Sequence, residues 1–482
     1  MRNLTLLTDL YEITMMQAYF KNNNKNKMAI FDVFYRKNPI DGGYAISAGL
    51  EQVIEYINNL HFTEDDINYL ASLKIFEDDF LDYLKNFKFT GDIYAIPEGS
   101  VMFPREPMLK VIAPIMEAQF IETAILNILN HQSLIATKAA RICYAAEGDG
   151  IMEFGLRRAQ GPDAGIYGAR AAVIGGCAGT SNVLTGQMFD VPVMGTHAHS
   201  WIMSFDDEYT AFYTYAKLYP MACTLLVDTY DTLNSGVPNA IKVFKQIKKE
   251  GIELKNYGIR LDSGDLAYLS KKARKMLDDA GFKDATITAS NDLDEFLITS
   301  LKMQGAEITN WGVGTNLITS KDCPSFGGVY KLAAIMEDGE NFTPKIKLSD
   351  NSEKITNPGN KKIYRIYEKE NNKIKADLIC LENETFTENE DMHLFDPHEP
   401  WKKTVLKAGT FTLKELLVKV FDKGQCVYHS DSVMKLRDFA ISEMETLWEE
   451  TKRFENPHQV YVDLSQKLYD IKISLLEKMS KE

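Results

Sequence analysis

Two histidines separated by one alanine, His197-Ala-His199, close the apolar run DVPVMGTHAHSW, and a guanidinium, Arg260, sits inside another such run, YGIRLDSGD. Imidazole is nucleophilic and partly neutral at pH 7, so one of these histidines can act as base, nucleophile or phosphate acceptor. A His-x-His pair can also hold a metal when later strand ends add ligands. The other histidines, His61, His131, His393, His398, His429 and His458, lie outside the apolar runs. Simple structural packing is the third reading. A charge in an apolar run is costly unless it meets an anion. For Arg260 that anion is either a neighbouring Asp or a ligand carboxylate held in a bidentate fork.

Two acid pairs follow the same logic. Asp228-Thr-Tyr-Asp231 and Asp262-Ser-Gly-Asp265 each place two carboxylates three residues apart. Such acids can bind Mg²⁺ or sugar hydroxyls, or they can cap helices. Asp231 and Asp265 fit capping, so one acid of each pair is expected to serve chemistry and the other structure. Gly312-Val-Gly314-Thr315 offers exposed backbone N–H groups to a phosphate. Phe154-Gly-Leu-Arg157-Arg158 offers two guanidinia for a polyanion and an aromatic face for stacking. Tyr11 could also stack, or simply pack within the first helix.

These groups recur at the ends of β-like runs between Val191 and Tyr330: DVPVMGTHAHSW, ACTLLVDTYDTLNSG, YGIRLDSGDLAYLS, ATITASNDLDEF and AEITNWGVGTNLITS. Parallel strands alternating with helices bring their C-terminal ends to one face, where chemistry collects. The 482 residues exceed one ordinary core. With 45% hydrophobic and 25% charged residues the chain reads as globular. No apolar stretch approaches a membrane span, and Asp9 and Glu12 interrupt the amino-terminal segment. A cytoplasmic location is therefore expected. The six cysteines show no paired spacing, which favours free thiols. A net charge of −14 argues against a nucleic-acid surface but leaves room for small anions at local cationic sites.

The expected organisation is an N-terminal α+β domain over 1–140, an irregular or incomplete α/β barrel over 141–340, and a C-terminal extension over 341–482 packing on the other domains. The helical run FIETAILNILNHQSLIATKAARICYAA should bridge the first two. Beyond Ile335 the chain becomes charged and β-like, with turns at Asp338-Gly339 and Asn357-Pro358-Gly359.

Taken together, TDLYEITM, FDVFYRKNP, GGYAISAGLEQ, PEGSVMFPREPMLKV, EFGLRRAQGPDAG, GTHAHSW, LLVDTYDT, GIRLDSGDL, GVGTNL and KITNPGNKKIYR resemble nicotinate phosphoribosyltransferases, in order from Leu7 to about Arg365. The resemblance implies a type II phosphoribosyltransferase that joins nicotinate to 5-phosphoribosyl 1-diphosphate (PRPP), giving nicotinate mononucleotide and diphosphate for NAD biosynthesis. It implies ATP as co-substrate, Mg²⁺, no resident metal site, and a homodimer with shared active sites. By motif, His199 would be phosphorylated by ATP. Thr196 and Arg260 would contact nicotinate, with Tyr11 of a neighbouring subunit stacking on it and Phe154 a further aromatic candidate. Thr315, Gly312 and Gly314 would hold the ribose 5-phosphate. Arg157 and Arg158 are candidates for the phosphates, and Asp228 and Asp262 for ribose or Mg²⁺. Nicotinamide or quinolinate phosphoribosyl transfer is the nearest alternative; a barrel metallohydrolase using His197 and His199 is the more distant one. His197 occupies a position that varies in the family.

Overall fold

The computed structural model describes residues 3–337, 339–349, 354–397 and 399–479; Asp338 of the expected turn and His398 lie outside them. The chain forms two compact units. The first contains 1–134, 325–431 and 439–482, and the second contains 135–324 and 432–438. The 341–482 region thus joins the amino-terminal residues for the most part, and hydrogen bonding shows why. Strand Val418–Asp422 pairs antiparallel with Asp92–Ala95, more than three hundred residues earlier.

The main sheet of the first unit has seven strands and places Met28–Tyr35 centrally, between Leu109–Pro114 and Gly328–Met336, with antiparallel pairing throughout. Helix Leu50–Asn58 buries Leu50, Val53, Tyr56 and Ile57, the three-and-four spacing of an amphipathic helix. Thr63 and Asp66 cap the next helix reciprocally. A four-stranded sheet pairs Lys361–Glu368 with Ile374–Leu381. Within it Arg365, fully buried, takes both oxygens of Asp377 at 2.6–3.1 Å.

The second unit is built on six parallel strands in the order Gly179–Thr180, Gly150–Glu153, Asn310–Val313, Thr286–Ser290, Gly258–Leu261, Thr224–Leu226. Helices Val237–Lys249, Leu266–Asp279 and Glu295–Met303 connect successive strands. Asp265 and Asp294 cap the latter two. The sequence reads DVPVMG as a further strand. The structure keeps only one parallel bridge there, Val193 to Thr180. Pro192 has no N–H to give a ladder, so the segment runs on irregularly. The long helix Glu122–Ala145 carries the boundary between the units, at Leu134 and Ile135.

Glu295 begins the helix after strand Thr286–Ser290 and is completely buried between two cations, Lys138 at 2.7 Å and Arg141 at 2.8 Å. Each of these side chains is at most 2% exposed. Removing one member leaves uncompensated buried charge. Glu295→Ala is therefore expected to destabilise the protein by about 3–5 kcal/mol, read as a lower denaturant midpoint with unchanged slope; a loss under 1 kcal/mol would contradict this account.

Candidate active site

Seven of the residues singled out in the sequence line one cavity of about 360 Å³ in the second unit: Phe154, Arg157, Thr196, His197, His199, Arg260 and Asp262. Ser181, Gly195 and Leu226 also face it. That volume falls in the range of small-molecule sites.

Arg260 is the best-anchored group. Its Nε donates to Ser290 Oγ at 2.8 Å, Nη1 to Thr196 Oγ1 at 2.9 Å and Nη2 to Asp262 Oδ1 at 2.7 Å. Its side chain is 15% exposed, so one edge still reaches the cavity. The guanidinium carbon lies 5.9 Å from the centre of the Phe154 ring, within cation–π range. The pairing with a neighbouring aspartate is thus present, and the same guanidinium lines the cavity. Burial opposes ionisation of Asp262, but hydrogen bonding from Ser290 and the Arg260 charge outweigh it and hold the carboxyl below the ordinary range.

Phe154 is set by the glycines around it. A Cβ on Gly312 would stand 2.6 Å from the Phe154 ring, so only glycine at this strand end lets the ring lie across it. A Cβ on Gly155 would meet Ile318 at 2.5 Å. Buried Glu153 accepts from the Gly155 N–H and from Thr180 Oγ1, and so pins the chain on both sides of the ring. Gly312 and Gly314 therefore touch Phe154 from behind, whereas Thr315 opens a four-residue helix and does not line the cavity. Arg158 is exposed on the 3₁₀ turn Leu156–Arg158, also outside the lining.

His199 starts the short helix His199–Met203. Its Nδ1 lies 3.0 Å from Thr229 Oγ1 and its Nε2 3.8 Å from Asp262 Oδ2. His197 serves different partners. Its Nε2 accepts the Leu226 N–H at 3.3 Å, and its ring packs edge-on against Tyr215 at 4.8 Å. The two imidazoles share the cavity lining but take different partners. His197 ties the irregular segment to the edge strand Thr224–Leu226 through its side chain.

The acid pairs divide as their types suggest. Asp231 accepts from the Leu233 and Asn234 N–H groups, and Asp265 from that of Tyr268, as helix caps. Asp228 Oδ2 accepts from Asp262 N–H at 2.7 Å and Ser263 Oγ at 2.8 Å, fixing the loop that carries Asp262. Asp228 Oδ1 is buried without a hydrogen-bond partner. Tyr11 belongs to the first unit, where it is 46% exposed; burial, Glu122 and Glu12 push its hydroxyl up to about 12. Ser290 and Thr229 were not singled out. Ser290 closes the run ATITAS and is signalled only by being a polar strand end; Thr229 lies between the acids Asp228 and Asp231 and carries no signal of its own.

Burial, aided by the positive charges of Arg260 and His199 and resisted by a backbone hydrogen bond at Ala198, lowers His197 to about 4 from its ordinary 6.5. Protonation thus favours the unfolded chain, and stability falls as pH drops below 6.5 towards 4. His197→Gln can still accept from Leu226 without titrating. Between pH 7 and 5 the wild type should lose up to about 2 kcal/mol more than this variant, measured by urea unfolding at each pH. Parallel losses in both proteins would remove His197 from the account.

With this geometry established, comparison with known proteins gives a consistent picture. The chain matches the profiles of the nicotinate phosphoribosyltransferase (NAPRTase) N-terminal domain over residues 6–130, the NAPRTase family over 150–390 and the NAPRTase C-terminal domain over 360–472. It is 47% identical to the nicotinate phosphoribosyltransferase of Bacillus subtilis, covering 100% of this chain and 98% of that protein. The Homo sapiens nicotinate phosphoribosyltransferase is 31% identical, with 98% and 96% covered. The crystal structure of human nicotinic acid phosphoribosyltransferase superposes with a TM-score of 0.85 at 29% identity, covering 98% of this chain and 100% of that one. A nicotinate-nucleotide pyrophosphorylase from Pyrococcus furiosus, 21% identical over 92% of this chain and 96% of that one, shares the fold with a TM-score of 0.69.

Proposed function

Because this chain belongs to the nicotinate phosphoribosyltransferase family, we propose that it transfers the phosphoribosyl group of PRPP to nicotinate, with ATP hydrolysis coupled through His199. The observation that carries this reading is the Arg260 guanidinium, held by three partners beside the Phe154 ring in the cavity that His199 also lines. A pyridine ring on Phe154 brings its carboxylate to Arg260 and Thr196. That pairing favours the acid over the amide, since a neutral amide leaves the guanidinium without a new anion.

Transfer breaks the C1–O bond of PRPP and forms a bond from C1 to the pyridine nitrogen, releasing diphosphate. Positive charge grows on the ribose while negative charge grows on the departing group, so positioning and electrostatics carry the rate. Arg157, exposed at the cavity wall, answers the diphosphate, and Arg158 extends the same turn. Mg²⁺ would neutralise the diphosphate. Asp228 Oδ1, a buried acceptor without a partner, and Asp262 are the carboxylates able to serve the ion or its waters. The Gly312–Thr315 loop is assigned to the 5-phosphate on the family's motif.

For His199, a proton on Nδ1 shared with Thr229 leaves the lone pair on Nε2, the atom facing Asp262. Attack of Nε2 on the γ-phosphorus of ATP releases ADP and places a phosphoryl group against that carboxylate. The added like charge loosens the hold of Asp262 on Arg260 and so couples ATP to nicotinate binding. A homodimer would bring Tyr11 to the neighbouring site; its partly exposed ring in the first unit suits that role. No helix among the described residues is long and apolar enough to cross a membrane. The nicotinamide, quinolinate and metallohydrolase readings have less support, because the full-length relatives carry the nicotinate activity in their names.

Two measurements test the reading. Nicotinate mononucleotide should form from nicotinate and PRPP faster with ATP than without, while nicotinamide and quinolinate give little product. His199→Ala should abolish ATP hydrolysis yet retain uncoupled synthesis; intact coupling in that variant defeats the phosphohistidine. Separately, Arg260→Lys keeps the charge but loses the fork, and KM for nicotinate should rise about tenfold or more, with a smaller change for PRPP.

A further inference from the structure

A cavity of about 530 Å³ lies wholly within the first unit and shares no lining residue with the one around His199. Its volume is within the span that drug-sized ligands fill. One wall is the edge strand Tyr461–Leu464, which pairs parallel with Ile374–Leu381. Alternate side chains of a strand point to opposite faces. Tyr461 and Asp463 accordingly line this cavity, while Val462 and Leu464 line a smaller one on the other face, beside Asp32, Lys361 and Lys472. The hairpin of Met392–Phe395 and Lys403–Leu406 forms another wall, with Trp401 and Lys402 from its turn.

Three kinds of group meet there. Asp463 is 5% exposed, yet its carboxyl accepts no hydrogen bond and meets no cation among the described residues. A buried acceptor left in that state is costly, so the site calls for an N–H or O–H from outside. Trp401 and Tyr461 are 72% and 49% exposed, aromatic surface that folding leaves uncovered. Lys402 pairs with Glu399, whereas Lys403 has no carboxylate partner among the described residues.

A bare metal ion does not answer this set, since no three metal-binding side chains cluster among the described residues. A simple amine satisfies the carboxyl but meets lysines of its own sign. A nucleotide answers all three groups at once, with a polar base edge, a flat ring and a phosphate. We propose that this cavity binds a guanine nucleotide, its base edge on Asp463, its ring against Trp401 and Tyr461, and its phosphate at Lys403. An ionised carboxylate has two acceptor oxygens and no donor. Guanine sets its N1–H and a 2-amino N–H side by side, two donors for two acceptors. Adenine and cytosine set one donor beside a ring-nitrogen acceptor, which would oppose the second oxygen. Uracil sets its one donor between two carbonyls.

Guanosine and adenosine 5′-monophosphates (GMP and AMP), titrated by calorimetry into the full chain at pH 8, test the site. Burial, then Asp396, push the Asp463 carboxyl up to about 7, so it is ionised at that pH. GMP should bind at least about tenfold tighter than AMP. Asp463→Asn exchanges one acceptor for a donor, the pattern adenine matches, and should reverse that order. Trp401→Ala, at an exposed position, should weaken both nucleotides about tenfold. No saturable GMP binding, equal affinity for the two nucleotides, or an unchanged preference in Asp463→Asn overturns the proposal. Should Asp463→Asn fail to fold, undiminished GMP affinity in Trp401→Ala overturns it instead. A nucleotide held at the reaction centre would keep its affinity in both variants, and neither readout depends on phosphoribosyl transfer to nicotinate.

Discussion

A guanidinium brought to the end of a parallel strand must be paid for by partners, and the pairing of Arg260 organises the cavity around it. The three partners come from three places: Thr196 on the irregular segment after Pro192, Ser290 at the end of Thr286–Ser290, and Asp262 two residues along its own strand end. Each donor of the fork therefore ties a different stretch of chain to one plane. Asp262 in turn receives Ser290, stands near His199, and takes its loop position from Asp228. Removing the Arg260 charge would leave Asp262 half-buried without its counter-ion.

Local chemistry was legible in the sequence wherever a residue acts on its immediate neighbours. Asp231 and Asp265 cap helices two or three residues ahead, and spacing alone identified them as the structural members of their pairs. Arg260 stood out because a charge inside YGIRL demands an anion. Residues that act across strands were harder to see. Ser290 meets Arg260 only because Thr286–Ser290 lies beside Gly258–Leu261 in a particular register, Thr288 opposite Arg260. Thr229 reaches His199 over thirty residues of intervening chain. Register in a parallel sheet is set by packing of whole strands and helices, and no short motif encodes it. The same limit hid the pairing of Val418–Asp422 with Asp92–Ala95, which carries much of the C-terminal region into the first unit.

The segment Val191–Ala198 shows how a broken rule can be useful. A regular strand there would alternate its side chains and commit its backbone to neighbours on both sides. Pro192 prevents that, and one bridge at Val193 is all the ladder that forms. The backbone is then free to turn Thr196 towards Arg260 while His197 points to the Leu226 N–H, an edge group that a ladder would otherwise have bonded. An imidazole ring substitutes for a missing strand, and its neutral form is required for it to accept that bond. His199, one residue past Ala198, inherits its position from this anchoring.

Net charge is a poor guide to what such a protein binds. The chain carries −14 overall, yet the linings of two cavities, the one around His199 and the smaller one beside Lys472, include guanidinium or ammonium groups. Most of the acidic excess is screened by water and ions over about 8–10 Å, whereas groups inside a cavity act through a less polarisable medium at close range. The two cavities then differ in how their charge is compensated. Arg260 is matched by Asp262 within the protein itself, at 2.7 Å. Beside Lys472, buried Asp32 pairs with Lys361 through one oxygen while the other accepts no hydrogen bond.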